Sequence, residues 1–215
     1  MLIKRMFKQF NIISDKKTNF LDNEKRHFLL KIDYKKFINY FDDFEEPLLS
    51  KKIIPLYGVF NDSLAETIIM KILYLDNLEE FSNTLLIINS PGGSVAAGLA
   101  ILDVINYTQM CIDTTCIAMA ASMGAFILAA GNLNGRSSFC NSRIMIHQPL
   151  GGAEGEADDI ELQSNEILYY KLLLSNYLSE FTKKKLRTIL SDTDRDFFMS
   201  SHEALNYGLI DLIIN

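Results

Sequence analysis

The sequence has few cysteines, and this scarcity excludes several kinds of protein. Only three occur among 215 residues, Cys111, Cys116 and Cys140, and none has ligand-like spacing to a histidine. An odd number of cysteines without such spacing argues against a disulfide framework and against a zinc site. We therefore expect no bound metal and a reducing compartment inside the cell.

The sequence also lacks a basic cluster with interleaved aromatic residues and a long apolar run. Its 21 basic and 27 acidic residues give a formal net charge of −6, so we expect no nucleic-acid partner. The uncharged run 114–135 has polar or glycine-containing ends, and its continuous apolar centre is too short to span a bilayer. We expect this run to be protein core and predict a soluble protein with no membrane partner.

The first 48 residues differ from the rest of the chain. They are charge-rich and weakly patterned, and residues 1–20 are basic without a long apolar segment that ends at small residues. A secretory signal is therefore not expected, whereas an organelle transit peptide and a mobile arm both stay open. We predict an N-terminal extension over residues 1–48 and an ordered domain over residues 49–215.

The ordered part alternates between strand and helix patterns, which predicts an α/β fold. The apolar run 85–88 predicts a strand covered on both faces, followed by a Gly-Gly turn and a helix over 94–105. The next strand and helix are predicted over 114–118 and 122–130. This order is typical of a mostly parallel sheet with right-handed crossovers.

Further elements are predicted at 51–60, 143–147, 159–181, 201–208 and 209–214. Pro55 places the first of these strands at an edge or a bulge. Ser63 and Glu66 have the spacing of a capping box that opens a helix. The helix over 159–181 is long enough to extend from the domain and pack against another subunit.

Ser122 is the first candidate for chemistry, because it lies in an uncharged stretch rich in alanine and glycine, residues 116–131. A serine on a strand-to-helix turn with small neighbours has the setting of a nucleophile. The alternative is a buried helix in which the hydroxyl bonds back to a carbonyl one turn earlier. That alternative is favoured when the stretch is considered alone.

A nucleophilic serine needs a histidine base and an acid, and the sequence has only three histidines. Of the three histidines, His147 ends an apolar strand, whereas His27 and His202 are expected to be solvated or structural. Asp196 is a candidate acid, with Asp192 and Asp194 as competitors.

The oxyanion of the reaction also needs backbone N–H donors. The turn at Gly92 and Gly93 and the amide of Met123 could supply them.

Five motifs in chain order decide between these alternatives. They are Ser-Pro-Gly-Gly at 90–93, Ala-Ala-Ser-Met-Gly-Ala at 120–125, Met-Ile-His-Gln-Pro-Leu-Gly-Gly at 145–152, Asp-Arg-Asp-Phe at 194–197 and the segment 203–211. Together they resemble the ClpP family, the serine peptidases of the ATP-dependent Clp protease. The resemblance covers roughly the last three-quarters of the chain.

The resemblance implies a serine endopeptidase that cleaves unfolded proteins. It makes Ser122 the nucleophile, His147 the general base and Asp196 the orienting acid. The backbone amides of Gly93 and Met123 match the oxyanion hole of the family.

The resemblance also implies how substrate and neighbouring subunits are held. Leu150, Gly151 and Gly152 match a strand that pairs with extended substrate, and Arg195 matches a contact to the opposite ring. The implied fold is a crotonase-like spiral of βα units with a protruding handle over about 150–182, and the implied assembly is two stacked seven-membered rings.

The sequence contains no Gly-rich loop ending in Gly-Lys-Ser/Thr, so we expect no cofactor in this chain and ATP use by a separate AAA+ unfoldase.

The chain differs from the family in the pocket that receives this ATPase, where it has Leu85, Ile87 and Ser137. The departures raise the alternative of an idle structural or docking subunit in a mixed ring. A crotonase-type acyl-CoA enzyme is a third hypothesis. The expected location is the bacterial cytoplasm or an organelle such as the plastid stroma.

Overall fold

The computed structural model describes residues 45–78 and 83–215, and these residues form an α/β fold. The elements in chain order are α1 (Glu45–Ser50), β1 (Ile53–Tyr57), α2 (Asp62–Asn77), β2 (Thr84–Ser90), α3 (Val95–Tyr107), β3 (Ile112–Ala121), α4 (Met123–Ala129), β4 (Arg136–Phe139), β5 (Arg143–Ile146), α5 (Ala157–Thr182), α6 (Leu186–Asp192), β6 (Phe197–Ser200), α7 (Ser201–Tyr207) and β7 (Leu212–Ile214). Residues 1–44 of the predicted extension, and His27 within them, lie outside the described residues. The boundary at residue 48 stays a prediction.

The strands form a seven-stranded sheet that is parallel except at one pair. Its main path runs β1-β2-β3-β4-β7, while β5 pairs with β3 in parallel and β6 pairs with β5 in antiparallel fashion. This topology confirms the predicted α/β class. Pro55 lies in β1, at the edge of the sheet, where its missing N–H removes no central ladder bond.

Strand β2 is covered less completely than its apolar sequence predicts. Leu86 and Ile88 are fully buried, but Leu85 and Ile87 on the opposite face are only half-buried. The predicted burial of both faces is therefore wrong for β2 in this chain. One face belongs to the core, into which helices α2, α3 and α4 also direct buried side chains.

Helix α2 begins at a different cap from the predicted one. Asn61 has an extended backbone, and its side chain accepts a hydrogen bond of 2.8 Å from the Leu64 amide. The predicted cap at Ser63 is wrong, because that residue already lies within the first helical turn. A capping box does occur at Ser200 and Glu203, where α7 begins.

Helix α5 confirms the predicted long helix, and only part of it packs on the domain. Leu174 and Leu178 are buried, whereas Leu162, Leu168 and Leu172 are 69%, 56% and 53% exposed. None of the helices in the described part of the chain combines the length and the apolar character that a membrane span requires.

The resemblance assigns Leu150, Gly151 and Gly152 to a strand that pairs with extended substrate. Within the single chain these residues form no strand, and the pairing with substrate stays a prediction. Residues 147–154 belong to neither strand nor helix, and Leu150 is 82% exposed. A strand requires a partner backbone, and no strand of the described residues runs beside this segment.

Candidate active site

Ser122 occupies the turn between β3 and α4. Its backbone has φ 53° and ψ −120°, a conformation that is costly for a residue with a side chain. A hydrogen bond of 2.8 Å from the Ser122 amide to the Met145 carbonyl holds it there. Ser122 precedes α4, which begins at Met123, and its hydroxyl is hydrogen-bonded to the His147 ring, so the predicted alternative of a helix serine bonded to its own backbone is wrong. The side chain is free to act on a neighbouring group.

The sheet brings His147 to Ser122. Strands β3 and β5 run in parallel, with Ala121 paired to Met145, so the residues that follow both strands emerge at the same edge. His147 Nε2 lies 2.9 Å from Ser122 Oγ. A hydroxyl this close to a ring nitrogen can pass its proton to it.

The antiparallel pairing of β5 with β6 brings the acid to the same place. Ile146 pairs with Phe197, so the next position along this register sets His147 opposite Asp196. Asp196 Oδ1 lies 3.0 Å from His147 Nδ1. The histidine side chain is 13% exposed and the aspartate side chain 59% exposed, so the base is shielded and its acid partner faces solvent in the single chain.

The two competing aspartates have other surroundings. Asp192 Oδ2 accepts a hydrogen bond of 2.8 Å from the Tyr207 hydroxyl. Asp194 is exposed, and its carbonyl accepts a bond from Gln148 Nε2. Within the described residues, Asp196 is the one aspartate that hydrogen-bonds His147. Arg195 is exposed beside it.

The glycine turn lies directly against the serine. A Cβ on Gly92 would stand 2.5 Å from Ser122 Cβ and 2.9 Å from the Ala121 carbonyl, and φ is +97°. Gly93 has φ +146°, and a Cβ there would stand 2.4 Å from the Phe60 carbonyl. Both positions therefore require glycine.

The amide of Gly93, within this turn, and the amide of Met123, beside Ser122, are both free to donate. Met123 is the first residue of α4, where an amide has no partner within the helix. Within the described part of the chain, neither amide donates a backbone or side-chain hydrogen bond.

An apolar cavity opens beside the hydroxyl. It reaches from the β3–α4 turn to the buried half of α5. Its lining residues are Val95, Ser122, Met123, Phe126, Ile146, His147, Pro149, Leu174 and Leu178.

Gln148 is a contributor that the sequence reasoning did not single out. Its backbone amide donates to the Thr193 carbonyl at 2.7 Å, and its Nε2 donates to the Asp194 carbonyl at 2.9 Å. These bonds tie the segment after His147 to the loop that carries Asp196. The position of Gln148 directly after the histidine was the available signal.

Cys116 is the one buried thiol, and it is not poised to react. Burial in β3 raises its pKa to about 11, although hydrogen bonds with Ser142 and Ser138 lower it in part. The thiol therefore stays protonated at neutral pH and is a poor nucleophile, whereas the hydroxyl of Ser122 lies within hydrogen-bond distance of His147.

A serine, a histidine and an aspartate joined in this order on an α/β fold are typical of serine hydrolases. Residues 38–215 match the family model described as Clp protease. The chain is also 50% identical, over 173 residues, to a protein of Prochlorococcus marinus subsp. pastoris (strain CCMP1986 / NIES-2087 / MED4) described as ATP-dependent Clp protease proteolytic subunit 1. That alignment covers 80% of this chain and 88% of the relative. The chain belongs to the Clp protease family.

Proposed function

We propose that this chain is the proteolytic subunit of a Clp-type protease and a serine endopeptidase in its own right. The observation that carries the proposal is the pair of hydrogen bonds that joins Ser122 to His147 and His147 to Asp196. An idle docking subunit would need none of this geometry, and neither would a crotonase-type enzyme. The complete arrangement therefore favours peptidase activity.

The proposed reaction is acyl transfer through the serine. Ser122 Oγ attacks the scissile carbonyl carbon while its proton moves to His147 Nε2. Asp196 accepts a hydrogen bond from His147 Nδ1–H and stabilises the imidazolium that forms. The free amides of Gly93 and Met123 receive the oxyanion. His147 then gives the proton to the leaving amine, and the peptide acyl group stays on Ser122 as an ester until water hydrolyses it by the same steps.

Two neighbouring features would hold the peptide. The apolar cavity beside Ser122 suits an apolar side chain on the acyl side of the scissile bond. Leu150, Gly151 and Gly152 are exposed, so their backbone is available to pair with an extended peptide by strand addition. Apart from the side chain that enters the cavity, the sequence of the substrate peptide would then have little influence on its binding.

The assembly we propose is two stacked seven-membered rings fed by a separate AAA+ unfoldase, with ATP used by that partner. The exposed leucines of α5 support subunit contacts through this helix, because burying their apolar side chains against another subunit would be favourable. Arg195, exposed beside Asp196, is proposed to contact the opposite ring. The three cysteines are free thiols, which suits a reducing compartment such as the bacterial cytoplasm or plastid stroma.

A fluorophosphonate probe tests the proposed nucleophile. We expect the wild-type chain to be labelled at Ser122 and the Ser122→Ala variant to remain unlabelled, because the probe phosphonylates only an activated serine. Ser191→Ala, which changes an exposed serine of α6, should be labelled like the wild type. Undiminished labelling of Ser122→Ala would refute the assignment.

The bond from Gln148 Nε2 to Asp194 predicts a smaller kinetic effect. Gln148→Leu keeps the backbone bond to Thr193 but removes this donor, so His147 and Asp196 should align less well. We expect kcat to fall about fivefold to tenfold with KM unchanged, the scale of one hydrogen bond. Steady-state hydrolysis of a short peptide measures it, with Gln109→Leu at an exposed position as control. Equal kcat values for the two variants would contradict a positioning role.

A further inference from the structure

Gly98 is the fourth residue of α3 and lies in its first turn, where its amide donates a hydrogen bond to the Ser94 carbonyl and the backbone does not require glycine. It is not among the glycines with positive φ, and glycine in a helix interior costs about 0.5–1 kcal/mol relative to alanine. The explanation is a contact. A Cβ on Gly98 would stand 2.1 Å from Met123 Cε and 3.4 Å from its Sδ. Gly98 therefore makes room for the end of the Met123 side chain.

Met123 links this contact to the reaction site. It directly follows Ser122, its side chain is only 2% exposed, and it lines the cavity beside the serine hydroxyl. One side of the methionine thus faces the cavity, while its methyl end lies against α3 at Gly98. The position of the thioether decides how much of the cavity is open.

We propose that Gly98 is a specificity-determining residue, which seats Met123 against α3 and so keeps the cavity beside Ser122 open to an apolar side chain on the acyl side of the scissile bond. The inference rests on the proposed peptidase function. Leucine at this position should be cleaved faster than alanine, because alanine leaves the cavity partly empty.

The flexibility of methionine explains why the effect falls on specificity. A methyl group on Gly98 meets the far end of an unbranched side chain with three rotatable bonds, which can reorient without moving the backbone. The surrounding core is close-packed, with Ile101, Leu102 and Ile127 fully buried. The cavity is the open space that adjoins Met123, so the displaced thioether enters it.

The test compares peptides that differ only in alanine, leucine or phenylalanine on the acyl side. For Gly98→Ala, we expect the ratio of kcat/KM for leucine over alanine to fall by about tenfold or more, the scale of one methylene in an apolar pocket. The double variant Gly98→Ala/Met123→Ala removes the displaced side chain and should restore the leucine rate. Ala96→Ser, an exposed change on the same helix, should leave the ratio as in the wild type.

The Met123→Ala variant alone provides a second readout that does not depend on the folding of Gly98→Ala. It enlarges the cavity and should shift the preference from leucine toward phenylalanine. A wild type that is labelled by fluorophosphonate, with ratios unchanged in Gly98→Ala or in Met123→Ala, would overturn the inference and leave the proposed function intact. A wild type that is neither labelled nor active would overturn both.

Discussion

His147→Ala is expected to lower kcat for peptide hydrolysis by about six orders of magnitude, since a triad member removed alone costs nearly as much as the whole triad. The Nε2 atom lies 2.9 Å from Ser122 Oγ and is the base in the proposed reaction. Without it the hydroxyl cannot lose its proton as it attacks. The proposed substrate contacts with the cavity and with residues 150–152 do not involve this proton transfer, so KM should change little.

Further comparisons show which group accounts for the loss of kcat in His147→Ala. The double variant Ser122→Ala/His147→Ala should be no slower than either single variant, because the two groups act as a unit. Asp196→Asn should lose about four orders of magnitude, since an amide favours the wrong imidazole tautomer. His202→Ala changes an exposed histidine of α7 and should leave kcat unchanged. Activity of His147→Ala within about tenfold of wild type would contradict general-base catalysis.

The sequence predicted many of the helices and strands in their order, because strands and helices differ in period and are separated by glycine turns, but it did not predict β4 or β6. It could not decide local choices that depend on backbone angles. Asn61 and Ser63 are both good helix caps by composition, and only the extended backbone at Asn61 distinguishes them. The burial of Leu85 and Ile87 depends on what covers the second face of the sheet, which a single run of apolar residues does not reveal.

In the candidate site, too, some features could be predicted from the sequence and others depend on the tertiary structure. The residue types around Ser122 and His147 marked them as candidates, and the structure brings the two side chains together. The choice among three aspartates depended on resemblance, because the antiparallel register of β5 and β6 has no local signal. The pairing of residues 150–152 with substrate stays a prediction, because its partner backbone comes from outside the chain. Gly98 had a sequence signal, a glycine inside a helical pattern, but its contact with Met123 lies across two helices.

Arg136 and Asp211 form the ion pair on which the C-terminal strand depends. Arg136 Nε and Nη2 meet the Asp211 carboxylate at 2.9 and 2.5 Å, and Nη1 donates to the carbonyls of Ala129 and Phe181. The guanidinium side chain is 5% exposed. The pair therefore joins β4, the ends of α4 and α5, and the segment before β7.

Asp211→Asn is expected to destabilise the fold by about 3–5 kcal/mol at neutral pH, because it leaves the buried Arg136 charge without its counter-ion. Burial alone raises the pKa of Asp211, but the hydrogen bonds and charge of Arg136 outweigh burial and hold this pKa below its ordinary value. The stabilisation is thus present above the unfolded-state pKa and is lost as pH falls through the folded-state pKa. Denaturant unfolding should show a constant gap between wild type and variant down to about pH 5 and a narrowing gap below it. Asp194→Asn, at an exposed position, should match wild type throughout, and an equal loss in both variants would show that the ion pair contributes nothing.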